Sequence, residues 1–315
     1  MRFRRASSAI RFGDVAVGGG SPVVVQSMTK TDTRDAHATT EQIKRLAESG
    51  CEIVRVAVPD QEAAEAIPAI EKDSPIPIIA DIHFDHRLAL FALESGVDGI
   101  RLNPGNIRDP KKIAAIVHAA KERDVPIRIG VNAGSLPPAS SPQASIAELM
   151  VDAAMKEIKL IESLDFELIE VSLKAFDVPT TIEANTKIAQ MMPYPLHLGI
   201  TEAGTPSTGS IRSAVGIGTL LYQGIGDSIR VSLSTKDPCE EVLTAYEILR
   251  SLDIKEKGPT LITCPSCGRT EVDIVELARA VEERLKRIEK PIKVAVMGCV
   301  VNGPGEARDA DVGIA

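Results

Sequence analysis

The sequence predicts an α/β protein, a TIM (βα)8 barrel followed by a small α/β domain. Three observations lead there. Short β-branched runs that end in polar residues or glycine alternate with helix-capable segments through most of the chain, and eight such units in about 250 residues is the size of this barrel. Hydrophobic residues make up 44% while aromatics are 3% and Trp is absent, so the core is built of Val, Ile, Leu and Ala, as a buried parallel sheet requires. Near Leu252 the character changes, and a second, shorter alternation begins. A doubly wound sheet is the alternative for the first part; it normally uses fewer units.

The elements follow in order. The first strand is Val23 to Thr29. Thr39-Thr40-Glu41-Gln42 reads as a capping-box helix start and Gly50 as its end, since glycine tolerates the left-handed turn past a helix. Strands two to four are Glu52 to Val58, Pro75 to His83 and Gly99 to Pro104. The fifth, Pro126 to Asn132, leads into a loop rich in Pro and Ser from Gly134 to Gln143. Leu168 to Lys174 is the sixth, Pro195 to Glu202 the seventh, followed by a loop from Gly204 to Gly209, and Ser228 to Ser234 the eighth. Glu48-Ser49-Gly50-Cys51-Glu52-Ile53-Val54-Arg55 is echoed by Glu94-Ser95-Gly96-Val97-Asp98-Gly99-Ile100-Arg101, and more loosely by Gly226-Asp227-Ser228-Ile229-Arg230. If this is an internal repeat and not a common junction, it places an Arg on strands two, four and eight, which share side-chain layers in a barrel.

The barrel is thus expected over 1–252, and a second domain over 258–315 after the linker Lys255-Glu256-Lys257-Gly258-Pro259. That domain reads as a strand (Thr260 to Thr263), Cys-Pro-Ser-Cys, an amphipathic helix (Val272 to Ile288), a strand (Ile292 to Met297) and Gly298-Cys299. Asp311 to Ala315 looks like the opening of a further strand, so the domain is expected to be incomplete at its C-terminus.

Composition excludes several function classes. Acidic residues number 44 against 36 basic ones, a net charge of −8, which argues against a general nucleic-acid or anionic-membrane binder; scarce rings argue against base stacking. No run of about 18 apolar residues occurs, and the basic N-terminus lacks the apolar run of a signal peptide. Cytoplasmic residence is the default. Five cysteines, Cys51, Cys239, Cys264, Cys267 and Cys299, are an odd count without a signal peptide, which favours a metal or redox site over a disulfide framework. Cys51 and Cys239 read as structural thiols.

Polar residues cluster at the C-terminal ends of the strands, where barrels build their sites: Arg55, Asp81 and His83, Arg101 and Asn103, Arg128 and Asn132, Ser172 and Lys174, Thr201 and Glu202, Arg230 and Ser232. Asp81, Glu170 and Glu202 could pair with some of the cations. Four Arg and one Lys leave an excess, and an excess of cations in an acidic protein points to an anionic ligand, most simply one with phosphates.

Cys264-x-x-Cys267 with Cys299 leaves the metal open. A zinc ribbon needs a fourth N or S ligand, yet His37, His83, His86, His118 and His197 all lie in the barrel segment. Three thiolates alone suit an iron–sulfur cluster with one unusual iron, and the spacing favours that reading. A thioredoxin-like dithiol leaves Cys299 unexplained. The Asn302-Gly303-Pro304-Gly305 turn would bring Glu306 back toward Cys299, as a weak ligand or as a solvated turn residue.

Val25-Gln26-Ser27-Met28-Thr29, Asp81-Ile82-His83-Phe84, Ile100-Arg101-Leu102-Asn103-Pro104-Gly105-Asn106, Gly130-Val131-Asn132-Ala133-Gly134-Ser135-Leu136, Leu198-Gly199-Ile200-Thr201-Glu202-Ala203-Gly204, Cys264-Pro265-Ser266-Cys267-Gly268-Arg269 and Met297-Gly298-Cys299-Val300-Val301-Asn302-Gly303-Pro304-Gly305-Glu306 resemble, in order and over essentially the whole chain, the 4-hydroxy-3-methylbut-2-en-1-yl diphosphate synthase family. Members of that family usually continue past the position of Ala315. The resemblance implies a TIM barrel and a sulfite/nitrite-reductase-like domain with a 4Fe-4S cluster on Cys264, Cys267, Cys299 and Glu306. It implies reductive ring opening and dehydroxylation of 2-C-methyl-D-erythritol 2,4-cyclodiphosphate, a step of non-mevalonate isoprenoid biosynthesis, with flavodoxin or ferredoxin as electron donor and a head-to-tail homodimer. It assigns substrate binding to Arg55, His83, Arg101, Asn103, Arg128, Asn132, Lys174, Arg230 and Ser232, and the acid/base role to Glu202. The chemistry agrees: removing a hydroxyl reductively takes low-potential electrons, which side chains lack, a proton donor and fixed cations to orient a diphosphate. Two rivals remain at this point: a phosphate-binding barrel synthase of the pteroate type with a structural zinc module, and a cluster-bearing electron carrier with the barrel as a docking scaffold.

Overall fold

The computed structural model describes residues 4–103, 106–107, 109–136, 144–255, 258–285, 288, 290–301 and 303–314. Five expectations thus fall partly outside the described residues: the end of the fourth strand at Pro104, the loop to Gln143, the linker at Glu256 and Lys257, the helix end before Ile288 and the turn at Asn302. The chain separates into two compact units, Met1–Ile248 and Leu249–Ala315.

The first unit begins with an antiparallel hairpin, β1 (Ile10–Phe12) and β2 (Val15–Val17). Then come β3 (Val24–Met28), α1 (Ala36–Glu48), β4 (Ile53–Val58), α2 (Gln61–Asp73), β5 (Ile78–Ile82), α3 (His86–Glu94), β6 (Gly99–Leu102), α4 (Pro110–Lys121), β7 (Ile127–Asn132), α5 (Ile146–Glu162), β8 (Ile169–Lys174), α6 (Val178–Ala189), β9 (His197–Leu198), α7 (Pro206–Tyr222), β10 (Ser228–Ile229) and α8 (Cys239–Ser251). β3 to β10 form one parallel eight-stranded sheet in the order β8-β7-β6-β5-β4-β3-β10-β9. A parallel bridge between Val171 and Leu196 joins its two ends, so the sheet is a barrel with its helices outside.

The strands form where β-branched residues alternate with the residues that point inward. Their outward side chains, such as Val54, Val56, Ile100, Ile129, Val171 and Leu173, are buried. So are the helix stripes Ile43 and Leu46 of α1, Ile67 and Ile70 of α2, and Ile113, Ile116 and Val117 of α4. Each such side chain removed from water contributes about 1.5–3 kcal/mol. The hairpin closes the N-terminal end: Ile10, Phe12 and Val17 pack with Val24, Ile53 and Ile79 from the strand starts. Gly99 makes room for the Phe12 ring, which a Cβ there would meet at 2.5 Å.

Local signals explain most boundaries. Gly50 and Gly96, at φ 101° and 92°, follow α1 and α3 as the matching segments required. The start of α1 is corrected. It begins a turn before the Thr39 box, because the Asp35 side chain accepts from the Ala38 N–H, an equally good N-cap placed earlier. The actual capping box is Ser145 with Glu148, opening α5. The seventh and eighth strands are also corrected. Their ladders cover only His197–Leu198 and Ser228–Ile229. Beyond them the backbone bonds to loops: the Thr201 N–H donates to Ala175 O at 3.2 Å and the Ser234 N–H to Gly204 O at 2.8 Å.

The second unit is a three-stranded parallel sheet, β11 (Thr260–Thr263), β12 (Lys293–Val296) and β13 (Val312–Ile314) in that order, with α9 (Ile274–Leu285) and a short α10 (Gly303–Glu306). Among the described residues no helix is long and apolar enough to cross a membrane.

Candidate active site

The barrel interior is a stack of inward-pointing layers. Above the apolar layer at the hairpin lies a polar one made of Gln26, Arg128, Glu170, His197 and Ser228, all buried. Arg128 Nε donates to Glu170 Oε2 at 2.6 Å and its Nη2 to Gln26 Oε1 at 2.5 Å. Its guanidinium also lies 5.8 Å from the centre of the Phe12 ring. The Ser228 hydroxyl donates to Glu170 Oε1 at 2.5 Å. Having spent its proton there, it accepts from His197 Nδ1 at 2.8 Å, which fixes the tautomer of the ring. Burial holds the His197 imidazole well below its ordinary range, and Arg128, Lys174, Arg55 and Arg230 reinforce this, so the ring is neutral.

Above this layer a cavity of about 250 Å³ opens at the C-terminal ends of the strands, lined by Met28, Arg55, Asp81, His83, Arg101, Asn132, Ser172, Lys174, Ile200, Thr201, Arg230 and Ser232. The strands supply these residues at alternate positions, so the two-residue period delivers them to one cavity. Asp81 is the hub. Its carboxylate meets Arg101 Nη1 at 3.2 Å, Arg55 Nε at 3.5 Å and His83 Nε2 at 3.4 Å. Burial alone would push the Asp81 carboxyl up, but Arg55, His83 and Arg101 hold it far below the usual carboxylate range. Arg230 is shifted down to about 10, first by burial and then by Arg55, with Glu241 opposing. Its nearest carboxylate is Glu241 on α8, at 3.8 Å.

Two strand glycines are part of the design. Gly130 has ordinary strand dihedrals, yet a Cβ there would lie 2.3 Å from Arg101 Nε. A Cβ at Gly199 would lie 2.8 Å from Lys174 Nζ and 2.6 Å from Arg230 O. Gly130→Ala is therefore expected to displace Arg101, costing about 1–3 kcal/mol in stability and weakening pyrophosphate binding. Thermal melts and a pyrophosphate titration check this; an unchanged melting temperature and affinity would show that Arg101 does not need the space.

Of the nine expected substrate-binding residues, the cavity gathers Arg55, His83, Arg101, Asn132, Lys174, Arg230 and Ser232. Two are placed elsewhere. Arg128 lies one layer deeper, 1% exposed, with Nε on Glu170 and Nη2 on Gln26. Asn103 is buried beside the cavity, with Nδ2 donating to Ser135 Oγ at 3.0 Å. Glu202 is exposed, at φ 53°, one residue past the lining residue Thr201. It does not serve as a carboxylate partner inside the barrel; that place is taken by Glu241, which sequence reasoning missed. Glu241 accepts from the Leu233 N–H at 2.9 Å and pairs with Lys30 at 3.0 Å. Nothing in its helical context marks it. Met28 was also missed as a wall residue, although alternation from Val24 reaches it; its Sδ accepts from Arg55 Nη2 at 3.0 Å.

In the second unit, Cys264 directly follows β11, and its N–H donates to Val296 O at the end of β12. Cys299 lies three residues beyond β12. The Cys-Pro-Ser-Cys loop turns through Ser266 at φ 68° and is pinned by the Cys267 N–H to Thr270 Oγ1 at 3.0 Å and the Glu271 N–H to Gly298 O at 3.0 Å. The parallel register Thr263↔Val296 thus brings both cysteine-bearing loops to the same, C-terminal end of one sheet. Glu306 ends α10 and is exposed. Among the described residues no three His, Cys, Asp or Glu converge as a single metal ion requires. The donor set of this unit is three thiols, and its sequence contains no histidine. It fits thiolate ligation of a cluster and lacks the fourth N or S donor of a closed zinc ribbon.

Comparison with known proteins gives matches over both units. The family model described as the GcpE TIM-barrel domain matches residues 7–246, and that of the GcpE protein C-terminal domain matches residues 260–315. A 4-hydroxy-3-methylbut-2-en-1-yl diphosphate synthase (flavodoxin) of Dehalococcoides mccartyi is 64% identical over 312 residues, covering 99% of this chain and 89% of the relative. One of the same name from Geobacter sulfurreducens is 57% identical, covering 97% of this chain and 87% of the relative. Among solved structures, dihydropteroate synthase from Stenotrophomonas maltophilia aligns with a TM-score of 0.58 at 13% identity, over 78% of this chain and 98% of that one. 3-Dehydroquinate dehydratase from Geobacillus kaustophilus aligns with a TM-score of 0.55 at 13% identity, over 79% of this chain and 99% of that one. At such identities the structural likeness speaks for the barrel fold alone.

Proposed function

Because the chain belongs to the GcpE family, we propose that it reduces 2-C-methyl-D-erythritol 2,4-cyclodiphosphate to 4-hydroxy-3-methylbut-2-en-1-yl diphosphate, with flavodoxin or ferredoxin as electron donor. The observation that carries this reading to the residues is the cavity at the strand ends, where Arg55, Arg101, Lys174 and Arg230 face one small volume. In the overall reaction the C2–O bond to phosphate and the C3–OH bond break and two electrons enter. A C2–C3 double bond forms, and one proton leaves with the hydroxyl as water.

The guanidinium groups suit the diphosphate, which they can hold through paired N–H donors. Asp81 keeps Arg55 and Arg101 in place between turnovers. Asn132, Ser172, Thr201 and Ser232 offer neutral donors and acceptors to the diol end. Holding the diphosphate rigidly orients the reacting carbons. Glu202 is the proton donor to the departing hydroxyl in this reading. Its left-handed backbone beside the lining residue Thr201 is the kind of strain that active sites retain. Cys264, Cys267, Cys299 and Glu306 would hold a 4Fe-4S cluster. When bound, the cluster supplies low-potential single electrons and an iron that can polarise the C–O bond.

The test is anaerobic assay of the full chain with the cyclic diphosphate and a reduced flavodoxin, read by phosphorus NMR. Iron, zinc and sulfide contents are measured alongside. About four irons with matching sulfide and appearance of the linear diphosphate are expected. Glu202→Gln should lower kcat by about 10²–10⁴ with substrate affinity retained. One zinc and no sulfide would overturn the proposal.

A further inference from the structure

Three of the cations around the cavity have a carboxylate to face, and so does Arg128 in the layer below. Arg55 and Arg101 share Asp81, Arg128 has Glu170, and Arg230 looks toward Glu241. Lys174 differs. It is 7% exposed, and among the described residues its Nζ makes no ion pair and no hydrogen bond. The bare backbone of Gly199 leaves it room beside the cavity. The groups around it come from every neighbouring strand. Arg55 stands on β4, Asp81 on β5 with His83 just beyond, Arg101 on β6, Arg128 on β7, His197 on β9, and Arg230 follows β10. Glu170, on its own strand, is spent on Arg128 and Ser228. Asp81 is already shared by two arginines and His83. Burial lowers the readiness of this amine to carry charge, and Arg230, Arg55, Arg128 and Arg101 lower it further.

We propose that the Lys174 amine takes up a proton when the cyclic diphosphate enters the cavity, so that substrate binding and proton uptake at Nζ are one event. This rests on the function proposed above. Each phosphorus of the cyclic substrate carries one ionisable oxygen in a diester-like linkage, so the ligand arrives as a dianion and neither gives nor takes protons near neutrality. Its two charges supply what Lys174 lacks, an anion in a site of low dielectric. Ring opening then turns a diester into a terminal phosphate, so the product carries one more negative charge than the substrate. An ammonium at 174 is matched to that increase. In the empty site a neutral amine spares the cavity a further repulsive cation.

The linkage is measurable. With uptake of one proton, the Kd rises about tenfold per pH unit between the Lys174 pKa of the empty site and that of the complex. Oxidised holoenzyme, without reductant and hence without turnover, is titrated with the cyclic diphosphate by calorimetry. Paired buffers of different ionisation heat are used across about pH 6.5–9, the range between the ordinary histidine and lysine pKa values. Wild type is expected to take up protons with a maximum near one per site. Lys174→Arg, whose guanidinium does not deprotonate, should bind with that maximum gone. His83→Asn, which removes the imidazole of the lining, should keep it. Binding by wild type without net uptake, uptake that persists in Lys174→Arg, or uptake that vanishes in His83→Asn would each overturn the proposal. If Lys174→Arg does not fold, wild type and His83→Asn decide. No binding of the cyclic diphosphate at all would overturn the functional reading first, and this inference with it.

Discussion

Cys299→Ser is expected to abolish reduction of the cyclic diphosphate while leaving its binding intact. Serine offers a hydroxyl where the proposed cluster would need a soft thiolate, so two thiolates and the proposed Glu306 carboxylate would remain. Iron and sulfide should fall from about four of each per chain to a small residue. The cavity residues proposed to bind substrate are all in the first compact unit, whereas Cys299 is in the second, so the calorimetric Kd should stay within about threefold of wild type, less than 1 kcal/mol. Glu306→Ala should be milder: three thiolates keep a cluster that loses iron on gel filtration and turns over slowly. Wild-type iron and turnover in Cys299→Ser would remove that residue from the ligand set. Equal iron and turnover in Glu306→Ala would return Glu306 to the role of a solvated turn residue.

The second large effect is structural. Glu170 is fully buried and accepts from Arg128 at 2.6 Å and Ser228 at 2.5 Å. Glu170→Leu leaves the Arg128 charge buried without its anion, a loss of about 3–5 kcal/mol. Each kcal/mol lowers the melting temperature of a unit this size by about 2–4 °C. Arg128→Met added to Glu170→Leu should recover most of the loss, because a well-packed apolar pair can replace a buried ion pair at little cost. Urea and thermal melts of the two variants decide the matter. A single variant within 1 kcal/mol of wild type, or a double variant no better than the single, would show that this pair is not what holds the polar layer together. The result also bears on Arg128 itself, whose Nε and Nη2 are engaged by Glu170 and Gln26 in the layer beneath the cavity.

Much of the site was legible because it is local. Arg55, Asp81, Arg101, Asn132, Lys174 and Arg230 each sit at the end of a β-branched run, and a period of two decides which face of the strand they take. Depth was less legible. Arg128 and Asn132 share a strand and a face, and only the stacking of layers put one in the polar floor and the other in the wall. The shortened seventh and eighth ladders were hidden for a similar reason, since their hydrogen bonds go to loops distant in sequence. Glu202 looked like a barrel carboxylate because it follows a strand, and the turn at Thr201 carried it out of the interior.

The sequence by itself determined the eight βα units, the inward set of cations, the cysteine-bearing unit and the family, because each of these is written in short-range pattern. Only the tertiary structure decided which cation has a counter-ion. Closing the barrel brings Glu241 of α8 to Lys30 and toward Arg230, gathers Arg55 and Arg101 on Asp81, and leaves Lys174 on the cavity wall with no anion among the described residues. Electrostatic pairing depends on distance through space and on burial, and neither is a property of neighbouring positions along the chain.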